Sequence, residues 1–120
     1  MKTNLKILVA DDDNASRFIL KKILEPFSRE VLLAKTGVEA VTTCQDNPDI
    51  DLILMDALMP YMNGIEAVKK IREFNKNVII IMQSAIDNLG KDEEIEYNEY
   101  IRKPIRRELL FLLMEKYFYC

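Results

Sequence analysis

A few polar side chains stand where apolar runs stop, and these are the ones equipped for chemistry. Asp56 ends "DLILMD" (51–56), with Pro60 four residues on. Asp11, Asp12 and Asp13 follow "LKILVA" (5–10), Ser84 follows "NVIIIMQ" (77–83), and Lys103 ends "EYIRK" (99–103) just before Pro104. Carboxylates held close repel one another, so a site that gathers them wants a cation. Hard oxygen ligands suit Mg²⁺, which keeps several waters and binds a phosphate together with one or two carboxylates. A lysine ammonium is a compact charge that neutralises a phosphoryl oxygen, and a serine hydroxyl donates to another. Asp56, placed centrally, is then a nucleophile rather than a mere ligand.

This chemistry needs elements that bring the groups together. The runs at 5–10, 51–56 and 77–83, with "EVLLA" (30–34) and a weaker one at 99–103, read as strands. They are continuously apolar rather than alternating, the pattern of strands buried on both faces. Helical patterns lie between them. Leu20, Ile23, Leu24 and Phe27 share a face, with Asn14 as the expected N-cap. "TGVE" (36–39) reads as a capping box, Thr36 with Glu39, opening a helix through about Cys44. "NGIE" (63–66) caps a third helix whose Ile65, Val68 and Ile71 face one way, and the last helix runs from after Pro104 to about Phe118. The stretch "IDNLGKDEEIEYN" (86–98) has Gly90, many acids and few apolar anchors, so its helix is expected to be short or distorted. Strand–helix alternation gives a parallel sheet with helices on both faces. All strand C-termini then lie along one edge, where ligands bind.

Composition narrows the rest. The chain has 120 residues, 49% hydrophobic, which reads as one domain over 1–120 with a full core. A net charge of −3 lacks the basic stripe that nucleic-acid binding requires. Cys44 and Cys120 form no disulfide framework and read as two reduced thiols. No export signal is seen at the N-terminus, and "LLFLLM" is too short to span a bilayer, so a soluble, cytoplasmic chain without membrane contact is expected. There is no histidine.

The segments "ILVADDDN", "LILMDALMPYMNGIE", "IIIMQSA" and "YIRKPI" are weak signals singly. In this order and spacing they resemble the response-regulator receiver domain of two-component signalling, over nearly the whole chain. The resemblance implies a flavodoxin-like three-layer α/β sandwich: a five-stranded parallel sheet of order 2-1-3-4-5 with five helices. It implies that Asp56 accepts a phosphoryl group as an acyl phosphate. Asp11 and Asp12 would hold Mg²⁺ with Asp56 and the main-chain carbonyl of Leu58, and Lys103 would contact the acceptor and the phosphoryl group. Ser84 would move toward that group, Tyr100 would swing inward as the aromatic switch, and the Lys103–Pro104 bond would be cis. The implied partner is a histidine kinase or histidine phosphotransfer protein, since this chain has no histidine to carry the phosphoryl group itself. Such a domain assists its own phosphorylation and is not an enzyme. The wording around Asp56 most resembles the receiver at the end of hybrid histidine kinases, with a free-standing regulator as the alternative.

Each residue also has a plainer role. Asp13 caps a helix, Asp56 sits in a turn, Ser84 is a loop hydroxyl, Lys103 lies on the surface, and Tyr100 is a half-buried strand aromatic. Gly64 gives the start of the third helix its freedom. Two rival functions remain. An aspartate-nucleophile phosphatase would need a second acid two residues after Asp56, where Leu58 stands. An unphosphorylated pseudo-receiver, acting as an interaction module, would typically lack an acid or the lysine. The chain departs from the family in a shortened stretch between Ser84 and Lys103. It departs again in a last helix with surplus apolar residues, Leu109, Phe111 and Leu112, which offers a homodimer surface.

Overall fold

The computed structural model describes residues 4–85 and 95–119. Five strands, β1 (Leu5–Ala10), β2 (Ser28–Ala34), β3 (Leu52–Asp56), β4 (Ile79–Ser84) and β5 (Glu99–Arg102), form one parallel sheet in the order β2-β1-β3-β4-β5. The α-helices among the described residues are α1 (Asn14–Leu24), α2 (Gly37–Asp46), α3 (Gly64–Phe74) and α4 (Arg107–Phe118), with a single 3-10 turn over Glu25–Phe27 following α1. The fold is the flavodoxin-like three-layer sandwich. Every residue of β1 and β3 is buried, as their unbroken apolar runs require, whereas the edge strand β2 is half exposed.

Alternation along the strands divides the core between the two faces of the sheet. Ile7, Val9, Leu54 and Ile81 pack with Leu20 and Leu24 of α1 and Leu110 and Met114 of α4. Leu8, Ile53, Met55, Ile80 and Met82 pack with Val41 and Cys44 of α2 and Val68 and Ile71 of α3. No helix of the described residues is long and apolar enough to cross a membrane.

Several local expectations hold and some shift. Thr36 caps α2, accepting from the Glu39 N–H at 3.1 Å, while Glu39 Oε1 accepts from the Lys35 N–H at 3.0 Å. Asn63 caps α3 through the Glu66 N–H at 2.9 Å. The N-cap of α1 is Asp13 rather than Asn14: its extended backbone lets Oδ2 accept from both the N–H and the Oγ of Ser16, at 3.0 and 2.8 Å. Asn14 is the first helical residue and instead accepts from the Arg17 guanidinium. Most of the short helix expected over 86–98 lies outside the described residues, and 95–98 is irregular.

The chain re-enters the sheet at β5 under close control. Asn98 exchanges hydrogen bonds with Ile80, its N–H donating to the Ile80 carbonyl and its Oδ1 accepting from the Ile80 N–H, both at 2.8 Å. Arg72 of α3 is buried and donates to the carbonyls of Glu96 (2.7 Å) and Val78 (2.8 Å) and to Asn98 Oδ1 (3.1 Å). Satisfied donors let a guanidinium lie in a core at tolerable cost.

Candidate functional site

Strand β1 delivers Asp11 to the carboxyl edge of the sheet, β3 delivers Asp56, β4 delivers Ser84, and the turn after β5 delivers Lys103. Parallel pairing of β1 with β3, β3 with β4, and β4 with β5 makes these ends neighbours. Lys103 bridges the acids: its Nζ lies 2.9 Å from Asp11 Oδ2 and 3.0 Å from Asp56 Oδ2. Its own N–H donates to the Ser84 carbonyl at 2.8 Å, and the Lys103–Pro104 peptide is cis.

The acids differ in setting. Asp11 is fully buried; its Oδ1 accepts from the Asp13 N–H at 2.9 Å. Its Oδ2 receives the Lys103 charge but no hydrogen bond of good direction. The buried Arg17 guanidinium donates to the Asp11 carbonyl at 2.6 Å, fixing the backbone beneath that carboxylate. Asp56 is 4% exposed, and its Oδ1 accepts from the Leu58 N–H at 3.1 Å. Burial pushes the Asp56 carboxyl above its usual range, against the pull of the Leu58 N–H and Lys103. Burial likewise draws the Lys103 ammonium down, but Asp11 and Asp56 together outweigh it, and its pKa ends raised. Asp12 is exposed. Asp13 points to Ser16, whose hydrogen bonds lower its pKa, so Asp13 serves α1.

Carboxylate oxygens of Asp11, Asp12 and Asp56 all lie within 4.8 Å of one another. Three hard oxygens at that spacing, one with a lone pair unspent on hydrogen bonds, suit Mg²⁺ rather than a soft metal. Leu58 is 45% exposed, while its N–H is committed to Asp56. Ser84 is fully buried at the end of β4, and Tyr100 lies on β5 opposite Met82, half-buried, with its ring 5.7 Å from that of Tyr97. By strand alternation Ser84 and Tyr100 belong to the same face of the sheet, the one carrying α2 and α3.

Gly64 has a different role from the expected backbone freedom. A Cβ there would stand 2.0 Å from the Asp56 carbonyl oxygen. The Gly64 N–H donates to the Ala57 carbonyl at 3.0 Å, so α3 starts hard against the end of β3. Sequence reasoning also passed over Arg17, Arg72 and Gln83. Their only signal was a polar residue at a core-facing position of a helix or strand.

A flavodoxin-like parallel sheet with acids and a lysine along its carboxyl edge defines a class of α/β domains that bind ligands at that edge. The family model of the response regulator receiver domain matches residues 7–115. This chain belongs to that family, whose members are generally signalling domains rather than enzymes. It is 35% identical over 105 residues to the chemotaxis protein CheY of Halobacterium salinarum, covering 85% of this chain and 87% of that one. It resembles the Saccharomyces cerevisiae co-crystal of the histidine phosphotransfer protein Ypd1 with the receiver domain of the response regulator Ssk1. There the TM-score is 0.86 at 26% identity, over 98% of this chain and 90% of that one. It also resembles the receiver domain of the sensor histidine kinase PA1611 of Pseudomonas aeruginosa, which holds a magnesium ion in its active-site cleft. The TM-score is 0.83 at 27% identity, over 95% and 97% of the two chains. The chain spans 16% and 46% of the lengths of some longer curated relatives.

Proposed function

We propose that Asp56 takes a phosphoryl group from a phosphohistidine donor and that the domain, one unit over 1–120, relays the resulting state to a partner. The observation that carries this reading is the Lys103 ammonium shared between Asp11 and Asp56 at 2.9 and 3.0 Å. An Asp56 oxygen attacks phosphorus, the P–N bond of the donor breaks, and the imidazole leaves with its electron pair. Lys103 neutralises charge at the acceptor and on the incoming group. Asp11, Asp12, Asp56 and the Leu58 carbonyl would hold Mg²⁺, which when bound neutralises phosphoryl oxygens. Ser84 then donates to the phosphoryl group, and Tyr100, on the same sheet face, follows it inward. The phosphoryl group shifts the balance of states only by its differential contacts with them.

The donor, or the recipient in a further transfer, is a histidine kinase or histidine phosphotransfer protein. A receiver of a hybrid kinase is the finer form of this reading, supported by the likeness to the PA1611 receiver and to the complex containing Ypd1. The exchange belongs to the cytoplasm, where thiols such as Cys44 stay reduced. A homodimer through α4 would cover Leu109, Phe111 and Leu112, which are 37%, 38% and 61% exposed.

Incubation with acetyl phosphate and Mg²⁺, followed by peptide mass analysis, tests the reading. We expect a long-lived phosphoryl adduct on the Asp56 peptide, absent in Asp56→Asn. Rapid turnover to inorganic phosphate would indicate the phosphatase. No reaction, with no beryllofluoride binding, would indicate the pseudo-receiver.

A further inference from the structure

We propose that a cavity on the far side of Lys103 binds a compact, neutral, apolar small molecule carrying one hydrogen-bond acceptor. The cavity measures about 370 Å³ and opens between α1, the end of β4 and the turn after β5. Its apolar walls are Ile19, Leu20, Ala85, Pro104 and Ile105. That size and lining are typical of small-ligand sites, which add a few placed polar groups to an apolar shell.

The polar group here is Gln83. Strand alternation puts it on the face of Ile79 and Ile81, where the pattern calls for a third aliphatic side chain. It is 2% exposed, and its Nε2 has no hydrogen-bond partner. A buried amide donor without an acceptor is a standing cost to the fold, and a ligand acceptor would remove it. The other polar side chains on the wall are already engaged. Ser16 Oγ donates to Asp13 Oδ2 at 2.8 Å, and Lys103 Nζ is held by Asp11 and Asp56. With one ammonium set against two carboxylates, the surroundings disfavour an anionic ligand. The site therefore selects a neutral molecule with a single acceptor. Because Lys103 is part of the wall, occupancy is coupled to the phosphoryl site; this last clause rests on the function proposed above.

Acetophenone and ethylbenzene, alike in shape but differing in the ketone oxygen, are suitable probes for titration of ¹⁵N-labelled protein by NMR. We expect both to shift the amides of Ile19, Ala85 and Ile105, with acetophenone binding about fivefold tighter, the worth of one net hydrogen bond. Gln83→Leu should abolish that preference while raising the thermal midpoint by about 4 °C, because the unpaired amide is gone. Gln83→Met, which keeps an unbranched side chain, should behave the same way if the leucine fails to fold. No shift at these amides overturns the site. So does a preference that survives in the variants, or a fall in midpoint in both. A final arm repeats the titration with Mg²⁺ and beryllofluoride. An altered acetophenone affinity supports the coupling, and an unchanged one beside a clear beryllofluoride response overturns the coupling alone. If beryllofluoride itself leaves the Asp56 region unmoved, the phosphoacceptor reading fails, and the coupling with it, while the probe comparison stands.

Discussion

Lys103 faces two carboxylates in a pocket that gives neither enough water to bear its charge alone. Replacing it with alanine leaves Asp11 and Asp56 opposed. We expect Lys103→Ala to lose about 2 kcal/mol of stability in the absence of divalent ions, the scale for stranding a buried polar group. The loss of switching should be larger: beryllofluoride should no longer move the Tyr100 resonances. Equal loss in the urea midpoint and in switching would count against the role. Cys44 offers a simpler test. Burial pushes its thiol from 9.0 up to about 12, so near neutral pH it carries roughly a thousandth of the thiolate of an ordinary cysteine. In a Cys120→Ser background, Cys44 should react with a thiol reagent only as fast as the protein opens. Immediate labelling would show that the α2 face is looser than described. At this scale the acids, Ser84 and Lys103 were legible because each follows an apolar run, and strand ends in a parallel sheet share an edge. Gln83 was not, because nothing in a one-dimensional pattern tells whether a core-facing amide finds a partner.

The elements hold these residues through a few close approaches. At Gly64, α3 leaves no room for a methyl group beside the Asp56 carbonyl. Gly64→Ala forces apart either the helix start or the end of β3, and overpacking of this kind costs about 2–3 kcal/mol. We expect a lower urea midpoint and, at temperatures where the variant is folded, slower phosphorylation by acetyl phosphate. An unchanged midpoint would mean that the loop at 57–63 yields freely. The five strands were readable to within two residues, and so were the Thr36 and Asn63 caps. The α1 cap slipped by one position because Asp13 and Asn14 are both good caps, and the choice depends on which side chain reaches Ser16. The close approach at Gly64 is a tertiary distance, so the sequence could mark a glycine there but not its reason.

The whole molecule ends, opposite the site, in a charged seam: Asp49 takes hydrogen bonds from Arg29 at 2.8 Å and Lys6 at 3.1 Å. These lower the Asp49 pKa to about 2. A carboxyl depressed on folding contributes stability above its unfolded pKa of about 4, and this is lost as pH falls through the folded value. The thermal midpoints of the wild type and Asp49→Asn should therefore differ by a constant amount above about pH 4 and converge toward pH 2. A difference that persists in acid would show that Asp49 acts by shape rather than charge. The pinned return of the chain at Asn98 has an engineering consequence. Among the described residues the chain is fastened on both sides of positions 85 and 95: the Ser84 carbonyl accepts from the Lys103 N–H, and Asn98 is held through Ile80 and Arg72. A foreign peptide of different length spliced between those positions should leave phosphoryl uptake intact, giving a reporter graft that sits next to the switch without dismantling it.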